Sequence, residues 1–204
     1  MKIPFRYQTT EYDCVPTSFI NALQYLFERD EIPPIVIQKI MQYSLDTVSK
    51  HGELGMGGGT TRLAIQMLLQ WLESYTKGSF SLSRCEFLLQ DHIHLRQGNK
   101  IMSCINSGGI ALLRLCLNNS GTSFHYALAL GVDTNDRNGI LFFDPLYRVN
   151  QFRRSDLNDM QWLGDNETQK ANLRVSRDRL DSYNYEKYSM GPTHERECCL
   201  LERY

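Results

Sequence analysis

The chain has 204 residues, of which 42% are hydrophobic and 22% charged, and this balance predicts one globular domain with a substantial core. Its formal net charge of -1 gives no electrostatic reason to expect nucleic acid or an acidic membrane surface as a partner. No apolar run approaches the length of a membrane span, and the first residues lack the apolar core of a secretory signal.

Helices are predicted for the first part of the chain. Pro16 suits a first helical turn, so the first helix begins at Cys14, and apolar residues at helical spacing carry it to about residue 30. Pro34 then opens a second helix. The residues predicted to form its buried stripe are Val36, Ile37, Ile40 and Met41.

A glycine-rich loop follows, Gly55-Met-Gly-Gly-Gly-Thr-Thr61, whose glycines permit positive φ angles and a close approach to a neighbour or ligand. It lacks the Gly-Lys-Ser/Thr ending of a phosphate loop, which disfavours nucleotide binding. Two interpretations remain open, a wall of a substrate cleft and a plain helix-entry turn. Thr60 or Thr61 is expected to cap the next helix. The residues predicted to be buried in that helix are Leu63, Ile65, Leu68, Leu69 and Leu72.

The pattern changes to strands in the second part of the chain. A short strand is predicted around residues 80–82 and a last short helix over 100–106. Three strands joined by short polar turns follow, over 110–117, 126–132 and 140–143. Short turns between successive strands imply an antiparallel sheet, and helices segregated from strands indicate an α+β fold.

The last quarter of the chain is more polar. Ser155 is expected to cap a short helix through Trp162, residues 173–177 to form an edge strand, and residues 198–201 to form a terminal strand. Three roles are open for this segment: it covers a cleft, docks a partner or completes the core.

The cysteines lie at positions 14, 85, 104, 116, 198 and 199, without any Cys-x-x-Cys spacing. This pattern matches neither a disulfide framework nor a zinc site and is typical of a reducing compartment, so we expect a cytoplasmic protein. His92 and His94 would share one face of a strand, as a metal-binding pair does. No third ligand of suitable type lies nearby in the sequence, so a solvated strand or loop is favoured and no metal site is predicted.

Cys14, a candidate nucleophile, lies at the N-terminus of the first predicted helix. The positive end of the helix dipole favours the thiolate of Cys14 over the thiol. Gln8, six positions earlier, carries two N–H groups that reach an oxyanion near Cys14 if the loop between them folds back. Asp13 is most simply interpreted as the cap of this helix.

A candidate base and its carboxylate partner lie far along the chain. His125 precedes the second predicted strand, and Asp144 follows the third. Because a short turn joins these strands, they pair antiparallel, and the two residues should be neighbours at one sheet edge. Taken alone, Asp144 is a common turn residue before proline, and His125 an ordinary strand-end side chain. A carboxylate beside an imidazole stabilises the imidazolium, which in turn activates a thiolate.

Five motifs occur in a fixed order. They are Gln8-x5-Cys14 with Asp13 before the cysteine, Cys-Val-Pro-Thr-Ser-Phe from residue 14, Gly58-Gly59-Thr60, His125-Tyr126 leading to Asp144-Pro145, and Ser155 through Trp162. In this order and spacing they resemble the papain-like double-glycine leader peptidases that process bacteriocin precursors, and their stand-alone relatives. The resemblance covers about residues 5–163.

The resemblance implies a role for each candidate residue. Cys14 would be the nucleophile, and His125 the general base and then the general acid. Asp144 would orient the imidazole, and Gln8 would contribute to the oxyanion hole. Val15 departs from the family pattern, which has glycine after the nucleophile. The transporter segments that accompany the leader peptidases are also absent, so double-glycine specificity is not carried over.

The resemblance also implies a papain-like fold, with an N-terminal helical half packed on a C-terminal antiparallel sheet. Residues 1–204 would form a single peptidase domain, in which 164–204 is a polar extension without a family counterpart.

The predicted function is therefore a cysteine peptidase that cleaves a peptide or amide bond through a thioester on Cys14. Its substrate would be a peptide or protein, and the chemistry needs no metal or organic cofactor. Two alternatives stay open. An acyl or peptidyl transferase would use the same residues with an amine as acceptor. A catalytically silent peptide-binding domain would lack turnover, and Val15 is the one feature in its favour.

Overall fold

A computed structural model describes residues 1–53, 55, 58–147, 152–164 and 169–204. Within these ranges the chain has an α+β fold, with most helices before the sheet. The helices are α1 (Cys14–Leu26), α2 (Pro34–Tyr43), α3 (Arg62–Ser74), α4 (Lys100–Asn106) and α5 (Arg177–Leu180). None of these described helices has the length and apolar character needed to cross a membrane.

The strands form one antiparallel sheet. They are β1 (Leu82–Leu89), β2 (Ile110–Cys116), β3 (Phe124–Val132), β4 (Gly139–Phe143), β5 (Met160–Trp162), β6 (Leu173–Ser176) and β7 (Glu197–Arg203). Their spatial order is β1-β7-β2-β3-β4-β6-β5. Strand β7 therefore lies between β1 and β2, and of the three roles left open for the C-terminal segment, completion of the core is observed.

Both faces of the sheet are buried. In β2, Leu112 faces the core formed with α1, α2 and α3, whereas Leu113 faces a second core formed with α4 and the segment that contains Leu180 and Met190. Side chains of a strand point alternately to its two faces, so near-continuous apolar strands are expected for a sheet covered on both sides. The sheet is thus the middle layer of the fold.

Three helix predictions differ from the structure in detail. Helix α1 ends at Leu26 rather than near residue 30, and a 3-10 turn (Arg29–Glu31) follows it. Met41 and Leu63 were predicted to be buried but are 49% and 66% exposed. Each of the two residues lies outside the buried stripe of its helix, on the side that faces solvent.

The strand predictions need correction in three places. The strand predicted at 80–82 begins at Leu82 and continues to Leu89. The segment predicted as a helix from Ser155 forms a 3-10 turn (Arg154–Asp156) and then strand β5. Strand β6 is not an edge strand, because β5 pairs with its outer side through Met160↔Val175. In these cases pairing with a neighbouring strand, β7 for β1 and β6 for β5, outweighs local sequence preference.

Arg196 fixes the C-terminal segment to the rest of the fold. It is 1% exposed and has the largest fully buried side chain. Its guanidinium donates to the carbonyl oxygens of Ile93 and Gly191, at 2.8 and 2.9 Å. It also forms an ion pair of 2.6 Å with the carboxylate of Asp181. A buried guanidinium with this many acceptors holds the segment before β7 in one conformation.

We expect Arg196→Ala to lower the free energy of unfolding by about 3–5 kcal/mol, because it leaves buried acceptors without their donor. Urea unfolding followed by far-UV circular dichroism measures this change. Arg29→Ala, at an exposed position, is the control and should change stability by about 0.5 kcal/mol or less. Equal effects of the two substitutions would contradict the anchoring role of Arg196.

Candidate active site

The loop before α1 places Cys14 at the first position of the helix. Asp13 occupies the N-cap position, but its side chain does not cap the helix as the sequence predicted. Its carboxylate instead accepts hydrogen bonds from the N–H groups of Thr9 and Thr10, at 3.0 and 2.8 Å, and from the Thr10 hydroxyl at 3.0 Å. An aspartate that binds backbone groups a few residues before it folds the chain into a turn. The loop from Gln8 to Cys14 therefore folds back.

Gln8 is held in place by one hydrogen bond from its backbone and one from its side chain. Its N–H donates to the carbonyl oxygen of Pro145 at 2.8 Å, next to Asp144. Its side-chain Nε2 donates to the Thr10 carbonyl at 2.8 Å. An amide nitrogen carries two N–H groups, so the second remains for a ligand. Gln8 and Cys14 line the same cleft, as the role in an oxyanion hole requires.

His125 and Asp144 are in hydrogen-bond contact. His125 is the second residue of β3 and Asp144 follows β4 directly. The imidazole Nε2 lies 2.7 Å from Oδ1 of the carboxylate, and the two residues are 2% and 0% exposed. The antiparallel pairing of β3 with β4 brings them together, which the sequence predicted from the short turn between the strands. Since Nε2 faces the carboxylate, Nδ1 is the nitrogen available to Cys14.

The electrostatics of the site favour an ion pair between Cys14 and His125. Burial by itself raises the pKa of Cys14, but a hydrogen bond to His125 and the charge of its ring outweigh burial and lower it. Burial by itself lowers the pKa of His125, but the charge and hydrogen bond of Asp144 raise it to about 10, with help from Cys14. A lowered thiol pKa and a raised imidazole pKa together favour thiolate and imidazolium at neutral pH.

The other five cysteines have raised pKa values instead of a lowered one. All six cysteines are free thiols. Burial raises the pKa of Cys85 and of Cys104 to about 12, and it also raises the pKa of Cys116. The pKa values of Cys198 and Cys199 are raised well above the ordinary range by burial. These thiols are small buried or half-buried hydrophobes, and Cys14 is the thiol with nucleophilic character.

A cleft of about 900 Å³ runs between the helical side and the sheet. On the helical side it is lined by Gly58, Arg62 and the loop from Gln8 to Cys14, called here the nucleophile loop after the predicted role of Cys14, and on the sheet side by residues of β2, β3 and β7. Val15, the residue after Cys14, is 2% exposed and packs into the core, and it also borders the cleft. Its β-branched side chain is therefore largely buried next to Cys14.

The glycine loop contributes to this cleft as far as it is described; Leu54, Met56 and Gly57 lie outside the described residues. Thr61 caps α3 by accepting the N–H of Ala64 at 3.3 Å, which confirms the helix-entry turn, and Gly58 lines the cleft, whose role as a substrate cleft stays a prediction. Gly59 has a φ of +83°, and a Cβ there would lie 2.9 Å from the carbonyl oxygen of Tyr12. Glycine is needed for this close approach to the nucleophile loop.

A charged cluster in the cleft was not found by sequence reasoning. Glu197 of β7 is 7% exposed and pairs with Arg62 of α3 at 2.9 Å. Its other carboxylate oxygen accepts the hydroxyl of Tyr126 at 2.6 Å. Arg114 pairs with Glu195 at 2.7 Å. The Arg62–Glu197 pair connects the helical side of the cleft to the sheet side, and all of these contacts join residues far apart in the sequence, so no local pattern signals them.

Comparisons with known proteins add no support to these assignments. The chain matches no protein-family model, and no curated protein is significantly similar to it. Among the residues described, no cluster of three or more His, Cys, Asp or Glu side chains is arranged to hold a metal ion. His92 lies in a 3-10 turn rather than on a strand, and its side chain is 74% exposed. The chemical assignment rests on the geometry of the cleft.

We expect iodoacetamide to modify Cys14 selectively at pH 6–7, because this thiol has a lowered pKa and the other five do not. The rate of Cys14 alkylation should stay high well below the ordinary cysteine pKa of about 8.5. In His125→Ala, burial still raises the Cys14 pKa, but the hydrogen bond and charge of His125 no longer lower it. The pH midpoint of Cys14 alkylation should therefore move above about 8.5. Peptide mass spectrometry after alkylation across a pH series measures both. A midpoint that is the same in the two proteins would contradict the ion pair.

Proposed function

We propose that this chain is a papain-like cysteine peptidase that cleaves a peptide or amide bond through a thioester on Cys14. One observation carries the proposal: the Cys14 thiol, with its lowered pKa, contacts an imidazole that is hydrogen-bonded to a buried carboxylate. A thiol and an imidazole that line one cleft, with a buried carboxylate behind the imidazole, are what nucleophilic catalysis by a thiol requires. The layout also agrees with a papain-like arrangement, because Cys14 belongs to a helix and the His125–Asp144 pair to the facing sheet.

The first half of the reaction forms the acyl-enzyme. The Cys14 thiolate attacks the substrate carbonyl carbon, and the C=O π electrons move to the oxygen. Gln8 Nε2 and the Cys14 backbone N–H, which has no partner within its helix, donate to this oxyanion. When the tetrahedral intermediate collapses, the C–N bond breaks and the His125 imidazolium gives its proton to the leaving amine. Donors that are already in place stabilise the developing charge without reorganisation.

The second half releases the product. Neutral His125 takes a proton from a water molecule as the water oxygen attacks the thioester carbonyl. The same donors hold the second oxyanion, and its collapse breaks the C–S bond. The acid product leaves, and thiolate and imidazolium are restored. Asp144 keeps its charge throughout and stabilises the imidazolium each time it forms.

Transfer to an amine would use the same acyl-enzyme, with the amine in place of water. A silent binding domain remains the other alternative; Val15, the feature in its favour, borders the cleft but is 2% exposed and packs mainly into the core, which argues against obstruction by its side chain. We retain hydrolysis as the proposed reaction, and the products of the experiment below separate it from transfer.

The test is incubation of the protein with a proteome-derived peptide library, with new termini identified by mass spectrometry. We expect the wild type to produce new N-termini, and Cys14→Ala to produce none, because the thioester cannot form. Cys85→Ala removes a half-buried thiol with a raised pKa and should keep full activity. Cleavage that persists in Cys14→Ala would refute the proposal, and so would a wild type that cleaves nothing. Joined products in the presence of added amines would instead establish transfer.

Gln8→Ala should lower kcat by about 10²–10³, the usual loss when one oxyanion donor is removed. The alkylation midpoint of Cys14 should stay unchanged, since Gln8 is not among the groups that set its pKa. Steady-state kinetics on a peptide found in the library, together with the alkylation series, measures both quantities. A shifted midpoint with an unchanged kcat would place Gln8 outside the oxyanion hole.

A further inference from the structure

The carboxylate of Asp144 is surrounded by more than His125. Its Oδ1 accepts the N–H of Leu146 at 2.8 Å in addition to facing the imidazole. Its Oδ2 accepts the hydroxyl of Tyr188, a residue of the C-terminal segment that is 0% exposed. A buried carboxylate is costly unless each oxygen has a donor, and hydrogen bonds to a charged group are about twice as strong as neutral ones. Tyr188 therefore gives a donor to the carboxylate oxygen that faces away from His125.

Asn172 fixes the backbone of the same residue. Its side-chain oxygen accepts the Asp144 N–H at 2.7 Å, and its side-chain nitrogen donates to the Asp144 carbonyl at 2.9 Å. Asn172 is 0% exposed. A carboxamide that makes both bonds to the backbone of one residue takes the place of a neighbouring strand and restrains the peptide units on either side of that residue. The backbone and the carboxylate of Asp144 are thus each held by residues that follow position 163.

Tyr188 is itself rigidly placed. Its N–H donates to the Cys116 carbonyl at 2.7 Å, and the Cys116 N–H donates to the Ser189 carbonyl at 2.8 Å. Cys116 ends β2, and β2 pairs with the part of β3 that carries His125 through Leu115↔His125. The segment around Tyr188 is therefore hydrogen-bonded to β2, the strand that pairs with β3 next to His125.

We infer that Tyr188 and Asn172 are positioning residues of the active site, which hold the Asp144 carboxylate ionised and directed at His125. The inference rests on the proposed function and deepens it. It gives residues 164–204, which have no counterpart in the resemblance to the leader peptidases, a direct part in completing the site. The glutamates at positions 195 and 197 also come from this segment and line the cleft. The segment thus supplies both a wall of the cleft and the support of the catalytic carboxylate.

The expected effect has a definite sign. Asp144 stabilises the His125 imidazolium, and the imidazolium stabilises the Cys14 thiolate. Without the Tyr188 hydroxyl, the carboxylate is held less firmly and both effects weaken. The midpoint at which the Cys14 thiolate forms should therefore move to higher pH, and the midpoint at which the imidazolium loses its proton should move to lower pH. The pH range that supports activity becomes narrower from both sides.

The experiment is the pH series of Cys14 alkylation in wild type, Tyr188→Phe and Asn172→Ala, which needs no substrate. We expect Tyr188→Phe to slow alkylation about tenfold at pH values below the wild-type midpoint, with an upward shift of about one pH unit. Tyr183→Phe is the matched control, because it removes a hydroxyl of the same segment that contacts Arg96 instead of Asp144. It should leave the curve unchanged. Thermal unfolding establishes that each variant is folded, and Asn172→Ala tests the inference if Tyr188→Phe is not.

The outcomes separate the inference from the proposed function. A wild type whose Cys14 titrates as an ordinary thiol refutes the proposed function itself. If the wild type has a low midpoint, and the folded Tyr188→Phe and Asn172→Ala proteins have the same midpoint, only the positioning role is refuted. Uniformly slower alkylation without a shifted midpoint also refutes it, since that is the result of a purely structural role. A shift in both variants, absent from Tyr183→Phe, supports the inference.

Discussion

The contact between His125 and Asp144 is the constraint on which the site depends. Both groups are withdrawn from water, at 2% and 0% exposure, so the charge of each needs a partner within the protein. The carboxylate meets this need through the imidazole, the Leu146 N–H and the Tyr188 hydroxyl. Each donor comes from a different part of the chain. One carboxylate thus links β3, β4 and the C-terminal segment, in addition to the backbone pairing that holds them together.

The six cysteines show how strongly location decides chemistry. Cys104 and Cys198 lie among apolar side chains, where burial has little to oppose it and the neutral thiol is favoured. Cys14 is also subject to burial, but it lies at a helix N-terminus beside a ring whose positive charge Asp144 supports. The same side chain is a small hydrophobe with a raised pKa in one place and a thiol with a lowered pKa in the other. The difference comes from a single charged partner and its support.

Local patterns predicted most helices and the strands β2, β3 and β4, because each depends on residue spacing over a few turns. The contact of His125 with Asp144 was predictable too, since a short turn sets the register of the strands that carry them. The function of Asp13 was not, because a helix cap and a loop-folding aspartate have the same local sequence. Nor were Tyr188 and Asn172, whose partner lies far away in the chain. Contacts of that kind leave no periodicity to detect.

The central position of β7 has a consequence for the order of synthesis. A ribosome that has completed residue 180 has already made Cys14, His125 and Asp144, but β1 and β2 still lack the strand that joins them. Contacts between segments this far apart in sequence form slowly, since a long loop must close before they can stabilise anything. The sheet that carries the histidine is complete only when the last strand is present. A nascent chain therefore carries Cys14, His125 and Asp144 before the sheet around them is complete, and the proposed activity would require the final strand.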